Sequence, residues 1–341
     1  MSIINKPSNH PVFPDKSKVA IILVNLGTPD GTDYWSMRKY LKQFLMDKRV
    51  VDLFRPIWWL ILNGPILTFR PSKSGKAYKK IWDEQNHGSP LRKFTINQTN
   101  KLKDSFKDNK NLIIDYAMRY GNPSIEKVLN KIVEKGCSKL LLVPLYPQYA
   151  ASTTATVKDE VFKWMLKQRW QPDIRTIAPW FDDKNYINAL ADTVNSNLKN
   201  KNTLDKLIVS FHGIPQRYFK AGDPYHCHCI KTARLLKEEL KWPDDKILVT
   251  FQSRFGPEPW LQPYTDKTII ELAKSGKKRI AVIAPGFISD CLETLEEIQI
   301  QYKELFIENG GEDLVYIPCL NSNDDQINML QSIVKENILG W

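Results

Sequence analysis

Cysteine is scarce in this sequence. Cys137, Cys227, Cys229, Cys291 and Cys319 are few for 341 residues and odd in number, which argues against a secreted disulfide framework and for a reducing compartment. Residues 1–15 lack an apolar h-region and carry Asn5, Lys6, Pro7, Asn9 and Pro14 instead, so neither a signal peptide nor a lipidation motif is expected and the cytoplasm is the expected location. Long apolar runs are missing too. The longest, 57–69 (IWWLILNGPILTF), falls short of the ~20 residues a spanning helix needs and is interrupted by Asn63, Gly64 and Pro65. No G-x-G-x-x-G follows a strand-like run, which speaks against a dinucleotide enzyme. Basic residues are scattered, and without a zinc-finger or RNP-like pattern nucleic acid is not an expected partner. Internal repeats and low-complexity tracts are also absent.

What is present is a basic, well-stocked globular chain. Net charge is +11, from 49 Lys and Arg against 38 Asp and Glu, which suits anionic partners such as acidic lipid head groups or a substrate bearing carboxylates. A hydrophobic content of 42% supports about two domains. Short Ile/Val/Leu runs alternate with amphipathic segments, the pattern of a parallel α/β fold. Strands are expected at 19–25, 112–118, 139–145, 174–178, 206–211, 246–252, 279–284 and 314–317. A helical stretch near 186–198 divides them four and four, so the expected architecture is two α/β lobes of Rossmann type, each with a parallel four-stranded sheet flanked by helices. The lobes span 15–185, with a lip insertion at 28–111, and 186–320; a closing helix in 321–341 packs back. Within the insertion, 57–69 reads either as a buried helix or as an interfacial or pocket-lip segment, because two tryptophans lie between Arg55 and Arg70.

In parallel sheets, ligands bind beyond the carboxyl ends of strands. His212 follows the fifth strand in SFHGIP, with Gly213 allowing close approach, and a neutral imidazole there can accept a proton or ligate a borderline metal. After the seventh strand, FISDCLETLEEI (287–298) opens a helix in which Asp290, Glu293 and Glu297 are spaced to share one face. A cation would relieve their repulsion; alternatively Asp290 is an N-cap and Glu293 its capping-box partner, which leaves Glu297 unaddressed. His212 and the acidic row can meet across one cleft. One nitrogen and several carboxylate oxygens suit divalent iron.

Six motifs in order carry a resemblance: VNLGTP (24–29), RYGNP (119–123), PLYPQYAASTT (144–154), SFHGIP (210–215), GDPY (222–225) and FQSRFGPEPWLQPYTD (251–266), completed by the acidic helix. Over nearly its whole length the chain resembles the ferrochelatases, of bacterial type. The resemblance implies a porphyrin held between the lobes, insertion of Fe(II) into protoporphyrin IX with loss of two pyrrole protons, and haem as product. His212 would be the proton acceptor, a metal ligand or both, and Glu293 its acidic counterpart and a metal ligand; Asp290 and Glu297 would extend the row, on a helix locally widened to a π form. Leu26, Arg119, Tyr120, Tyr146, Ser152 and Trp260 stand at positions of porphyrin contacts, with sheet packing and turn formation as their other reading.

No organic cofactor is expected. Nor is a [2Fe-2S] cluster, since the chain stops at Trp341 and has Ala151 where cluster-bearing relatives have a first-lobe cysteine. His226, Cys227, His228 and Cys229 lack the usual zinc spacing and read as a structural loop before an accessory metal or redox site. Cys291 stands where many relatives have histidine. A monomer or homodimer at the inner face of the membrane is expected, touching it through 57–69. Rival readings are a coproporphyrin or sirohydrochlorin chelatase and a non-enzymatic tetrapyrrole or iron carrier.

Overall fold

The run VAIILV (19–24) is buried on both faces, which a strand achieves only at the centre of a sheet covered by helices on each side. The computed structural model describes residues 15–198 and 204–341; His10 lies outside the described residues. The strands are β1 (Asp15–Thr28), β2 (Leu112–Gly121), β3 (Cys137–Pro144), β4 (Asp173–Thr176), β5 (Lys206–His212), β6 (Ile247–Gln252), β7 (Arg279–Ile283) and β8 (Asp313–Ile317). They form two parallel four-stranded sheets, β2-β1-β3-β4 and β6-β5-β7-β8. The second order repeats the first four strands later, a structural repeat that the sequence does not display.

All eight expected strands are found. β1 outruns its expected range at both ends, because Asp15 pairs with Cys137 at one end and Gly27 and Thr28 pair with Tyr120 and Gly121 at the other. β5 holds its pairing through His212, opposite Gln252, so His212 is the last strand residue instead of the first loop residue.

Alternate side chains of each sheet enter different cores. Ile21, Leu23, Leu141 and Val143 of the first sheet share one buried cluster with Leu207, Val209, Ala281 and Ile283 of the second, through the helices Lys184–Asn197, Tyr225–Leu240 and Asp324–Asn337. The opposite faces have separate covers. Ala20, Ile22 and Val24 lie under Ile125–Glu134 and Thr156–Leu166, and Ile208, Ile280 and Val282 lie under Thr265–Lys274 and the acidic helix.

Between β1 and β2 the chain builds helices Tyr34–Leu45, Arg55–Ile61, Leu67–Lys79 and Pro90–Ser105. The first three have their own apolar centre at Met37, Trp58, Leu62 and Tyr78. Segment 57–69 is divided between a buried side and an exposed one. Trp58 is buried with its indole N–H on Leu45 O (2.7 Å), whereas Ile57, Trp59, Leu60, Ile61 and Phe69 stand in solvent, Phe69 at 74% exposure. A π turn at Leu62–Ile66, containing Gly64 and Pro65, breaks the helix between them. Among the described residues no helix is long and apolar enough to cross a membrane.

Gly27 shows how tightly the insertion is launched. It has φ +105°, and an added Cβ would lie 1.7 Å from Tyr120 O. We expect Gly27→Ala to cost on the order of 2–4 kcal/mol, a sum of left-handed strain and displaced β2 backbone. Thermal unfolding of the variant should show a clearly lowered midpoint; an unchanged midpoint would contradict this packing.

Candidate active site

His212, at the end of β5, is half-buried, and its Nδ1 lies 2.6 Å from Gly213 O. A carbonyl oxygen only accepts, so Nδ1 carries the hydrogen and the neutral ring keeps its lone pair on Nε2. Gly213 makes this approach possible. A Cβ there would press on Gln252 O and the Trp260 ring, both at 3.1 Å. The imidazole sits among aromatic rings, 6.3 Å from Trp260 and 6.4 Å from Phe287.

The acidic segment does not present three carboxylates on one face. Its helix is a π helix, Leu292–Tyr302, capped by Cys291, so Asp290 precedes it. Asp290 is buried and spent: Tyr316 OH, Asn321 Nδ2 (2.7 Å), Thr294 Oγ1 (3.2 Å) and Cys319 N (3.3 Å) all donate to its carboxylate. These bonds fasten the helix start to the end of β8. Within a π helix the neighbours along the axis are i and i+5. Gln301 accordingly reaches Glu296 (2.6 Å) and Tyr302 reaches Glu297 (2.6 Å).

Glu297 and Asp290 thus have separate partners. Glu297 turns to the second sheet, where its carboxylate accepts from Ser253 Oγ (2.5 Å), Ser253 N (3.0 Å) and Tyr302 OH. Ser253 aims both donors by adopting φ +62°, a left-handed conformation that serine rarely takes. Burial pushes the Glu297 carboxyl above the usual range and Glu293 adds to this, against the hydrogen bonds and the charge of His212. Glu293 is half-buried; burial raises the Tyr78 hydroxyl, the charges of Glu293 and Cys291 raise it further, and Glu293 acts on Tyr40 as well.

Gln252 ties these parts together. It pairs in register with His212, accepts from Ser210 Oγ (2.7 Å) and donates to Glu293 O (2.9 Å). The imidazole and the acidic helix thus border one connected site. Among the described residues no three His, Cys, Asp or Glu side chains converge to hold a metal.

The expected porphyrin contacts divide. Leu26, near the end of β1, and Tyr146, Ser152 and Trp260, in the segments that follow β3 and β6, are half-buried. Tyr146 Oη and Trp260 Nε1 have no partner among the described residues. Arg119 and Tyr120 lie deeper. Arg119 Nη2 meets Asp47 Oδ2 (2.5 Å) and its Nε meets Thr156 Oγ1 (2.7 Å), while Tyr120, fully buried, donates to Asp47 (2.9 Å). Burial would raise the Asp47 carboxyl, but hydrogen bonds from Thr156 and the Arg49 amide, with the Arg119 charge, hold it below the usual range. Arg119 therefore braces the wall. Its charge is neutralised internally, with Glu160 3.4 Å away.

Residues absent from the expected set also shape the site. The insertion reaches the second half through Lys80 on buried Glu296 (2.9 Å), Tyr218 OH on Val50 O (3.2 Å), and Arg70 stacked over Phe255 (4.6 Å). Arg70 has no carboxylate partner among the described residues, and burial alone lowers its pKa. A cavity of about 330 Å³, lined by Gln252, Arg254, Asp266, Gln301 and their neighbours, reaches Glu297 from behind. Gln252 and Ser253 fall within a motif already noted; Asp47 and Arg70 carry no local signal. The histidine-cysteine segment is the first turn of helix Tyr225–Leu240, not a loop, and its side chains point apart: His226 near Phe251, His228 on Phe181, Cys229 buried and Cys227 exposed.

The family model described as ferrochelatase matches residues 18–338. A ferrochelatase of Allorhizobium ampelinum is 54% identical over 342 residues, covering 100% of this chain and 99% of its own length, and one of Agrobacterium fabrum is 55% identical, covering 98% and 97%. The chain belongs to the ferrochelatase family. Among solved structures, SirB from Bacillus subtilis with Fe3+ superposes with a TM-score of 0.54 at 15% identity, over 94% of this chain and 96% of that one. The sirohydrochlorin chelatase SirB from Bacillus subtilis subspecies spizizenii with cobalt gives 0.54 at 13%, over 94% and 95%. At such identities the likeness concerns fold, and it is the two-sheet chelatase fold that this ferrochelatase-family chain shares.

The raised pKa of Glu297 has a sign that can be checked. Its folded value lies above the unfolded value of about 4.3, so the folded protein binds more protons above that pH and loses stability as pH rises from there to the folded pKa. Glu297→Gln removes this dependence. The difference in melting temperature between variant and parent should therefore move in the variant's favour from about pH 4 upward, then level off. A difference that stays flat across that range would mean that Glu297 ionises as in water.

Proposed function

We propose that this chain inserts ferrous iron into protoporphyrin IX, with His212 Nε2 as the first acceptor of a pyrrole proton. The observation that carries this reading is the fixed tautomer: Gly213 O holds the Nδ1 hydrogen, so the neutral ring offers its Nε2 lone pair to the substrate. A free-base macrocycle hides its lone pairs in its plane, and a cleft that bends it exposes them to the incoming ion. Fe(II) replaces two pyrrole hydrogens, which leave as protons. His212 takes one. Glu293, between His212 and the insertion tyrosines, meets the metal and the second proton, and Glu297, already disposed to hold a proton, passes charge toward the polar cavity at Arg254 and Asp266. Asp290 keeps the helix in place. Arg70, unpaired at the mouth, suits a propionate, and Leu26 and Trp260 suit the apolar face of a macrocycle. This reading asks for no resident cofactor; iron enters as substrate.

Anaerobic metallation followed by absorbance, with Fe(II) or Zn(II) and either porphyrin, tests it. His212→Ala and Glu293→Gln should each lower kcat by about 10²–10⁴ while porphyrin binding survives, with protoporphyrin preferred over coproporphyrin. Full turnover by His212→Ala would reject the assignment. A protein that binds porphyrin but never metallates it would be a carrier.

We further propose that the chain works in the cytoplasm with its lip on an anionic membrane surface. Trp35, Phe54, Trp59, Leu60 and Phe69 stand exposed beside Lys39, Lys42, Lys73 and Lys76, which pairs interfacial aromatics with cations. In flotation with vesicles rich in anionic phospholipid the protein should rise. High salt, about 1 M, or the paired change Phe54→Ser and Trp59→Ser should leave it at the bottom. A parent protein that stays down with every vesicle would reject the contact.

A further inference from the structure

The chain leaves β3 through residues 145–150 and enters a π turn, Ala151–Ala155, that carries Ser152. Around Ala150 it is extended (φ −141°, ψ 153°), so the amides of Tyr149 and Ala151 face the same way, as successive donors on a strand edge do. Side chains of the second half take the place of a neighbouring strand. Tyr149 N donates to His228 Nδ1 (3.2 Å), Ala151 N to Asp223 Oδ2 (2.7 Å), and the Gln148 side-chain amide to Thr232 Oγ1 (3.0 Å). All three acceptors lie in the GDPY turn or on the helix it opens.

Each acceptor is itself fixed. His228 stacks on Phe181 with ring centroids 3.7 Å apart and planes 10° apart, Asp223 Oδ1 accepts from Tyr225 N (3.0 Å), and Thr232 donates to Phe181 O (2.7 Å). His228 must accept at Nδ1, so its neutral hydrogen is on Nε2, the opposite tautomer from His212. Just beyond the π turn, Thr156 enters the network of Asp47 and Arg119. A shift of this loop would therefore move Ser152 and the brace of the first-half wall together.

We propose that Asp223 and His228 are positioning residues for the porphyrin: a clamp between the two halves that holds loop 148–152 at its working distance from His212. The inference rests on the reading that this loop lines the porphyrin groove. It also gives the GDPY turn and the histidine-cysteine segment a task that requires no metal.

The test combines three measurements on the full chain: steady-state Zn(II) insertion, porphyrin binding by fluorescence, and hydrogen exchange of a peptide spanning 147–152. We expect His228→Ala to raise KM and Kd for the porphyrin about tenfold while kcat changes little, and to speed exchange at Tyr149 and Ala151. His228→Asn, whose side-chain oxygen can stand in for Nδ1, should restore all three. Asp223→Ala should behave like His228→Ala, and Asp223→Asn, which keeps one of the two acceptor oxygens, should fall between Asp223→Ala and the parent. Should His228→Ala fail to fold, Thr232→Val, which removes the acceptor of Gln148 together with the bond to Phe181 O, carries the same comparison with a smaller rise. Faster exchange with unchanged KM and Kd, or a loss confined to kcat, would overturn the clamp. A parent protein that neither binds nor metallates porphyrin would overturn the functional reading itself, and the clamp with it.

Discussion

Gln252 is a buried amide at the end of a strand, and the site is assembled around what it can and cannot satisfy. Its oxygen accepts from Ser210, which adjoins Thr265 (3.0 Å), which in turn donates to Thr250 (2.8 Å); its nitrogen donates to the backbone of Glu293. Such a chain of buried polar groups is stable only when every member is paired, and then it holds one geometry. Through it the second sheet fixes the π helix, and with it the direction of two carboxylates. Because Gln252 is also the register partner of His212, the same group sets the spacing between imidazole and acids.

Electrostatics within the site follow from where each charge is spent. Asp290, Asp47 and Arg119 are saturated by neighbours and serve as fasteners. Glu293, Glu297 and Arg70 are less completely neutralised, and these three, with the Nε2 of His212, are the groups that the proposed reaction assigns to a cation, two protons and a carboxylate. The two histidines illustrate how backbone partners assign roles. A carbonyl beside His212 frees a lone pair toward the groove, whereas an amide beside His228 consumes one.

Much of the fold was legible because parallel strands buried on both faces must be written as unbroken apolar runs, and all eight were. The repeat of strand order was not, since topology constrains which segments are apolar but not which apolar residue occupies each place. In the site, His212 could be found from its position after an apolar run, and the acids from their spacing. Spacing alone put Asp290, Glu293 and Glu297 on one α-helical face, whereas Asp290 precedes the helix; the π form that the resemblance implied is present, and contacts such as Tyr302 with Glu297 and Lys80 with Glu296 hold it. The ion pair of Arg119 could not be read from the sequence, because its partner, Asp47, lies 72 residues away.

The amino-acid sequence alone determined the α/β class, the eight strands, the family and the candidate base, because each depends on runs or motifs contiguous along the chain. Tertiary structure decided which charges are free and which are spent, which tautomer each histidine holds, and which partners the acids take. Those properties belong to pairs of residues brought within about 3 Å by folding. No stretch of sequence, however characteristic, contains both members of such a pair.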